Sequence, residues 1–194
     1  MDKKDELMRF LEKNLFITLN EGRKLGINPM MLSRLAASED LYRPEHGVYI
    51  CDLDWLTDPL KKYTIACTLY PDAVICGISA LTYYDLTDAE ERQTWIALPA
   101  PKTIHNPKYR VIRPSGLAYT LGVEKHSFGN REVRIYDIEK SIVDAFKYTT
   151  EEFAFKALKG YLKRRNRNYH KLCNYARQLR KPLDNIVTAL LADE

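Results

Sequence analysis

Between residues 16 and 50 the apolar positions form two short helical patterns, and two brief runs of β-prone residues follow. Thr18 and Glu21 stand at capping-box spacing, which predicts a helix starting near Leu19. Gly26 stops that helix in the left-handed region, and Asn28-Pro29 reads as an N-cap followed by the first position of a second helix. In this second helix Met31, Leu32, Leu35 and Ala36 fall on one side to pack, while Met30, Ser33, Arg34 and Ala37 face out. Beyond it, Leu41-Tyr42-Arg43 and Val48-Tyr49-Ile50 flank Pro44-Glu45-His46-Gly47, the pattern of a hairpin with Arg43 and His46 near its tip.

Helix, tight turn, helix and hairpin in that order outline a winged helix-turn-helix. An outward face that is small and polar with one arginine suits a major groove, where arginine pairs with guanine and serine meets phosphate or base. Three-helix units with a hairpin also serve as protein-interaction modules, and charge keeps that alternative open. Residues 1–55 hold eight lysines and arginines against ten aspartates and glutamates, a net of −2, whereas phosphate binding favours a basic surface.

From residue 58 the pattern changes, so a junction is expected at 52–58, with one domain over 1–55 and a second over 56–194. Asp58-Pro59 opens a helical pattern ended by Pro71. The apolar run from Ala73 to Leu81 turns at Gly77 into a short helix capped by Ser79 or a neighbour. β-Prone segments follow at 94–98, 109–112, 122–128 and 131–136, the last two joined by a Gly129-Asn130 turn, and a mostly antiparallel sheet is expected. Asp137 then caps a helix with an apolar stripe of Ile138, Ile142, Val143, Ala145 and Phe146, and helices follow at about 151–165, 168–180 and after Pro182. Strands early and helices late make the second domain, and the chain, α+β.

Composition narrows the chemistry. The 194 residues carry a net charge of +4, enough chain for one or two cores. The start lacks the apolar stretch of a signal peptide and no run approaches bilayer-spanning length, so no membrane association and a cytoplasmic location are expected. Cys51, Cys67, Cys76 and Cys173 are scattered, as are His46, His105, His126 and His170. Neither set has metal-site or redox spacing, so no cofactor or metal is expected. Leu81 replaces the second glycine of a nucleophile elbow around Ser79, which disfavours a hydrolase. Asp137-Ile138-Glu139 has the carboxylate spacing of a magnesium-dependent transferase but lacks a Gly-Ser phosphate turn before it, and an N-cap with a first-turn charge explains both acids, so catalysis is not expected.

The positive charge lies further on. Residues 153–181 contain ten lysines and arginines, among them Lys156, Lys159, Lys163, Arg164, Arg165, Arg167, Lys171 and Arg177, and no acidic residue. A solvated face normally mixes signs, so this run points to a polyanionic or acidic partner, DNA or protein. Tyr161, Tyr169 and Tyr175 are interleaved at a spacing common for core or boundary residues.

Gly26-Ile27, Gly47-Val48-Tyr49, Val74 to Leu81, Trp95-Ile96-Ala97-Leu98-Pro99 and Tyr136 to Asp144 occur together in order. This ordered set resembles the AbiEi antitoxins of bacterial abortive-infection operons, the type IV toxin-antitoxin systems of phage resistance, and it covers nearly the whole chain. Lys140-Ser141 stands where such proteins usually carry arginine and threonine, keeping charge and hydroxyl. The resemblance implies an N-terminal domain that binds promoter inverted repeats as an operon repressor. It also implies a C-terminal domain that counters a nucleotidyltransferase-like toxin without a stable complex. The positions carried over to double-stranded DNA are Asn28, Met30, Ser33, Arg34, Arg43 and His46, with Arg23 and Lys24 on phosphates. A monomer binding repeats cooperatively and a dimer both fit, and a stand-alone regulator is the alternative.

Overall fold

The structure, a computed structural model, describes residues 2–52 and 57–192. Its contacts divide into two compact units, Met1–Ile65 with Phe128–Arg131, and Ala66–Ser127 with Glu132–Glu194. The junction expected at 52–58 includes residues 53–56, which lie outside the described residues. The described chain is α+β, and among the described residues no helix is long and apolar enough to cross a membrane.

The first unit opens with α1 (Lys3–Lys13), a helix beyond those the pattern predicts, capped by Asp2 and burying Leu7 and Leu11 one turn apart. After β1 (Ile17–Thr18), α2 (Leu19–Lys24) begins with the expected capping box, Thr18 accepting from the Glu21 amide and the Glu21 carboxylate accepting from the Thr18 amide. Gly26 takes φ +69°, the left-handed turn that stops α2. Asn28 then caps α3 (Pro29–Ala37), its side chain accepting from the Met30 amide at 2.9 Å.

The hairpin β2 (Tyr42–Glu45) and β3 (Val48–Ile50) is tighter than expected. Its turn is His46-Gly47 alone, with Gly47 at φ +79°, so Arg43 and Pro44 belong to a strand. The sheet order β1-β3-β2 makes β2 an edge, where a proline costs no ladder bond. Leu7, Leu11, Ile17, Ile27, Leu32, Leu35, Leu41 and Tyr49 form the core of this unit.

α4 (Pro59–Leu69), with Asp58 accepting from the Leu60 amide, precedes the second sheet. That sheet is built from β4 (Val74–Ile75), β5 (Thr94–Ala97), β6 (Tyr109–Ile112), β7 (Val123–Phe128) and β8 (Arg131–Tyr136) in the order β6-β5-β4-β8-β7. It is mixed rather than mostly antiparallel: β4 runs antiparallel to β5 but parallel to β8, and β5 is parallel to β6. The two-residue turn at 129–130 signals local pairing only. One parallel pair, β4 with β8, joins strands distant in sequence, and the other, β5 with β6, joins consecutive strands through a crossover that no turn residue announces.

α5 (Gly77–Tyr83) follows β4 directly. Its N-cap is Cys76, without a side-chain cap bond, rather than Ser79. Ser79 lies inside the helix and is spent on β5, its hydroxyl accepting from the Trp95 amide at 2.6 Å and bonding the Glu91 carboxylate. After the short α6 (Leu117–Thr120), α7 (Ile138–Tyr148) packs against α5, α8 (Glu151–Leu162) and α9 (Tyr169–Gln178). Burial on α7 exceeds the expected stripe and takes in Glu139, Lys140, Ser141 and Asp144. α10 (Asp184–Ala192) closes the helical core through Val187, against Leu158, Leu172 and Ala176 of the same cluster.

Gly77 has φ +52°, and a Cβ there would run into the Trp95 ring, whereas at Gly129, φ +59°, nothing lies within 4 Å. Gly77→Ala is therefore expected to lose about 2–4 kcal/mol from backbone strain plus overpacking, and Gly129→Ala about 1 kcal/mol from strain alone. Urea denaturation of both variants checks this, and equal losses would contradict it.

Candidate functional site

Two surfaces and one buried network hold the residues singled out in the sequence. In the first unit α3 divides as its pattern requires: Leu32 and Leu35 are buried, Met31 and Ala36 half-buried, and Asn28, Met30, Ser33, Arg34 and Ala37 exposed. Arg23 and Lys24 end α2 in solvent, Arg23 reaching the Asn20 side chain at 3.5 Å. Lys24 and Arg34 have no ion-pair partner among the described residues.

One residue that the sequence marks only as part of the hairpin motif joins the helix to the hairpin. Tyr49 on β3 is 1% exposed, its hydroxyl lies 3.4 Å from the Ser33 hydroxyl, and the Arg43 guanidinium sits 5.9 Å from its ring centre. Arg43 also hydrogen-bonds His46 Nδ1 at the turn. Ser33, Arg43 and His46 are thereby brought into one cluster around Tyr49.

With Lys61, Lys62 and Arg131 against Asp58 added to residues 1–55, this unit holds as many cations as carboxylates, and several of them pair. Glu6 pairs with Lys3, Asp40 with Lys4, and Glu21 with Arg131 at 2.8 Å. Burial pushes the Glu21 carboxyl up, but hydrogen bonds from Arg131 and Thr18 outweigh it and hold the group below its ordinary value.

In the second unit the basic run is not unopposed. Lys156 pairs with Asp88, Arg177 with Asp184, and Lys171 with both Asp137 and Glu139. Arg164 donates to the carbonyls of Tyr84 and Asp85, and Arg167 to that of Arg164. The acids come from elsewhere in the chain, so the charge count along 153–181 could not reveal them. Lys159, Lys163, Arg165, Arg180 and Lys181 remain exposed without an ion-pair partner among the described residues. Lys156, Lys159 and Lys163 line an open hollow of about 600 Å³ together with Glu152, Phe155 and Gly160.

Asp137 and Glu139 are 3% and 4% exposed and serve each other's neighbours. Asp137 caps α7 by accepting from the Lys140 amide at 2.8 Å, and it also accepts from the Tyr175 hydroxyl. Tyr161 donates to Glu139 at 2.8 Å, and the Lys171 ammonium sits 3.1 Å from Asp137 and 2.9 Å from Glu139. The space between the carboxylates is thus taken by an ammonium. Burial pushes the Asp137 carboxyl above its ordinary value against the pull of the Lys140 amide and Lys171. Burial would lower Lys171, but Glu139 and Asp137 outweigh it and hold the ammonium above its usual range.

Beside this cluster Lys140, wholly buried, pairs with Asp144 and lies 4.1 Å from the Tyr136 ring centre. Of the interleaved tyrosines, Tyr161 and Tyr175 belong to the network and Tyr169 is exposed. The cysteines are free, and burial raises the thiols of Cys67, to about 11, and of Cys76 and Cys173, so they are weak nucleophiles at neutral pH. Lys171 and Tyr175 stand one helical turn apart after the Asn168 cap, a spacing visible in the sequence, but nothing local links them to residues 137 and 139.

No protein-family model matches the chain, and no curated protein matches it.

Lys171→Met removes the ammonium from two buried carboxylates. A loss of about 2–3 kcal/mol at neutral pH is expected, at the low end for a buried pair because the Lys171 side chain is 34% exposed. Without Lys171 the raised Asp137 carboxyl takes its proton in the folded protein at a higher pH than in the unfolded chain. Acidification toward about pH 4 therefore favours the folded state, and the deficit narrows. Urea denaturation at both pH values measures it; a deficit independent of pH would assign Lys171 a packing role only.

Proposed function

We propose that the first unit is a winged helix-turn-helix that reads double-stranded DNA, with α3 in the major groove and the β2–β3 hairpin as the wing. The observation that carries this is the Tyr49 cluster. It brings Ser33 of α3 and Arg43 and His46 of the hairpin together, while Arg34 and Lys24 are exposed and without an ion-pair partner among the described residues. A helix whose exposed face offers Asn28, Met30, Ser33 and Arg34 carries the donors and small groups that base edges require.

Residues 1–55 carry a net charge of −2, and Lys61, Lys62 and Arg131 against Asp58 bring the whole first unit only to zero, so its grip on phosphate is weak, and the second unit carries Lys159, Lys163 and Arg165. They are fewer than the ten cations of the sequence run, because tertiary pairing consumes several of the others. On this reading α3 and the wing choose the site and the basic helices add salt-dependent affinity.

At the level of the cell, the chain acts as an AbiEi-type antitoxin: it represses its own operon and counters a nucleotidyltransferase-like toxin. Support for that part comes from the ordered motif set. Co-expression with a toxin of that class encoded beside the gene tests it, restored growth supporting the antitoxin role and unrelieved arrest removing it.

For DNA reading, Arg34→Ala is expected to weaken binding to a duplex selected by the wild-type protein from a randomised pool by about 1–3 kcal/mol. An unchanged gel-shift affinity would take Arg34 out of the reading face. Replacing Lys159, Lys163 and Arg165 together with alanine should make the slope of log K against log salt shallower by up to about 2.7, three released counterions' worth. An identical slope would assign those cations to a partner other than DNA.

A further inference from the structure

Met30 is the most exposed large apolar side chain among the described residues, at 75%. It owes that position to strict local chemistry. Asn28 caps α3 through the Met30 amide and Pro29 fills the first helical position, so the second residue of the helix is fixed in orientation and points away from the core built by Leu32 and Leu35. Met31, the next residue, packs against that core instead. A methionine held in water beside Ser33 and the unpaired Arg34 gains nothing in the isolated protein, since the apolar surface it exposes would be better buried.

Resting on the DNA-reading role proposed above, we infer that Met30 reads the C5-methyl group of a thymine, so that α3 selects thymine near the guanine read by Arg34. Three features support this. The first turn of a groove-bound helix is where base edges are met. The thymine methyl is the apolar feature of the major groove, and an unbranched thioether follows its surface without requiring a hydrogen bond. Met30 and Arg34 lie one turn apart on the same face, so their contact points are separated by about 6 Å along the helix. Base pairs stack about 3.4 Å apart, which places the two bases within about two steps of each other when the helix follows the groove.

The test uses the full-length protein. Bound duplexes are first selected from a randomised pool, and each thymine of the resulting consensus is then replaced singly by deoxyuridine, which removes the methyl group alone. At one position, within two steps of a guanine, the wild-type protein should bind about fourfold more weakly, the worth of one buried methyl-sized group. Met30→Ala should bind the consensus more weakly and show no further loss at that position. The variant removes no packed atom and introduces a better helix former, so its fold is retained. Neutral deoxyuridine at every position, a consensus without thymine, or a fourfold loss that persists in Met30→Ala each overturns the inference while leaving DNA reading in place. Failure to enrich any duplex overturns DNA reading itself, and the inference with it.

Discussion

The second unit depends on keeping the charge of Asp137 satisfied away from water. A carboxylate at 3% exposure would be expensive without partners, and the chain supplies three, the Lys140 amide, the Tyr175 hydroxyl and the Lys171 ammonium, while the residue's backbone is tied down as well. Its own amide donates to the Gly122 carbonyl at 2.6 Å, its side chain caps α7, and Tyr175 and Lys171 reach it from α9. Gly122 is part of the same constraint: at φ +71° a Cβ there would press on Lys140 and on Asp137 itself. One residue therefore ends a strand, begins the central helix, and fixes α9 on that helix.

This arrangement redefines the Asp-x-Glu spacing. Two carboxylates one residue apart suggest a cation between them, and there is one, but it is the Lys171 ammonium. Tyr161 and Tyr175 complete the shell, and Asn168, the α9 cap, donates its amide to the Tyr161 hydroxyl at 2.6 Å. With Lys140 and Asp144 paired on the next turn, α7 is a buried helix whose polar residues are answered from within the unit rather than by solvent.

The first unit relies on local rules, and for that reason most of it was legible in advance. The Thr18–Glu21 box, the left-handed Gly26, the Asn28 cap with Pro29 after it, and the inward and outward faces of α3 are all interactions between residues a few positions apart. They stand in the structure as the spacing requires. Tyr49 was not legible as a connector, because its ties to Ser33 and Arg43 depend on how the hairpin lies against α3. β1 was missed for a related reason: two residues have no periodicity, and only pairing with β3 defines them as a strand.

Sequence alone determined the order of the main elements after residue 16, the caps and stops that bound many of them, the α+β class, and which side of α3 faces outward. Each follows from hydrogen bonds and apolar spacing that act over one or two turns. Tertiary structure decided the mixed pairing of the second sheet, the move of Ser79 from cap to strand anchor, and above all which charges stay unpaired. Coulombic attraction joins residues without regard to their separation along the chain. A run of ten cations between 153 and 181 is therefore only a sum until folding brings Asp88, Asp137, Glu139 and Asp184 to three of them, turns Arg164 and Arg167 onto carbonyls, and leaves Lys159, Lys163, Arg165, Arg180 and Lys181 without an ion-pair partner among the described residues.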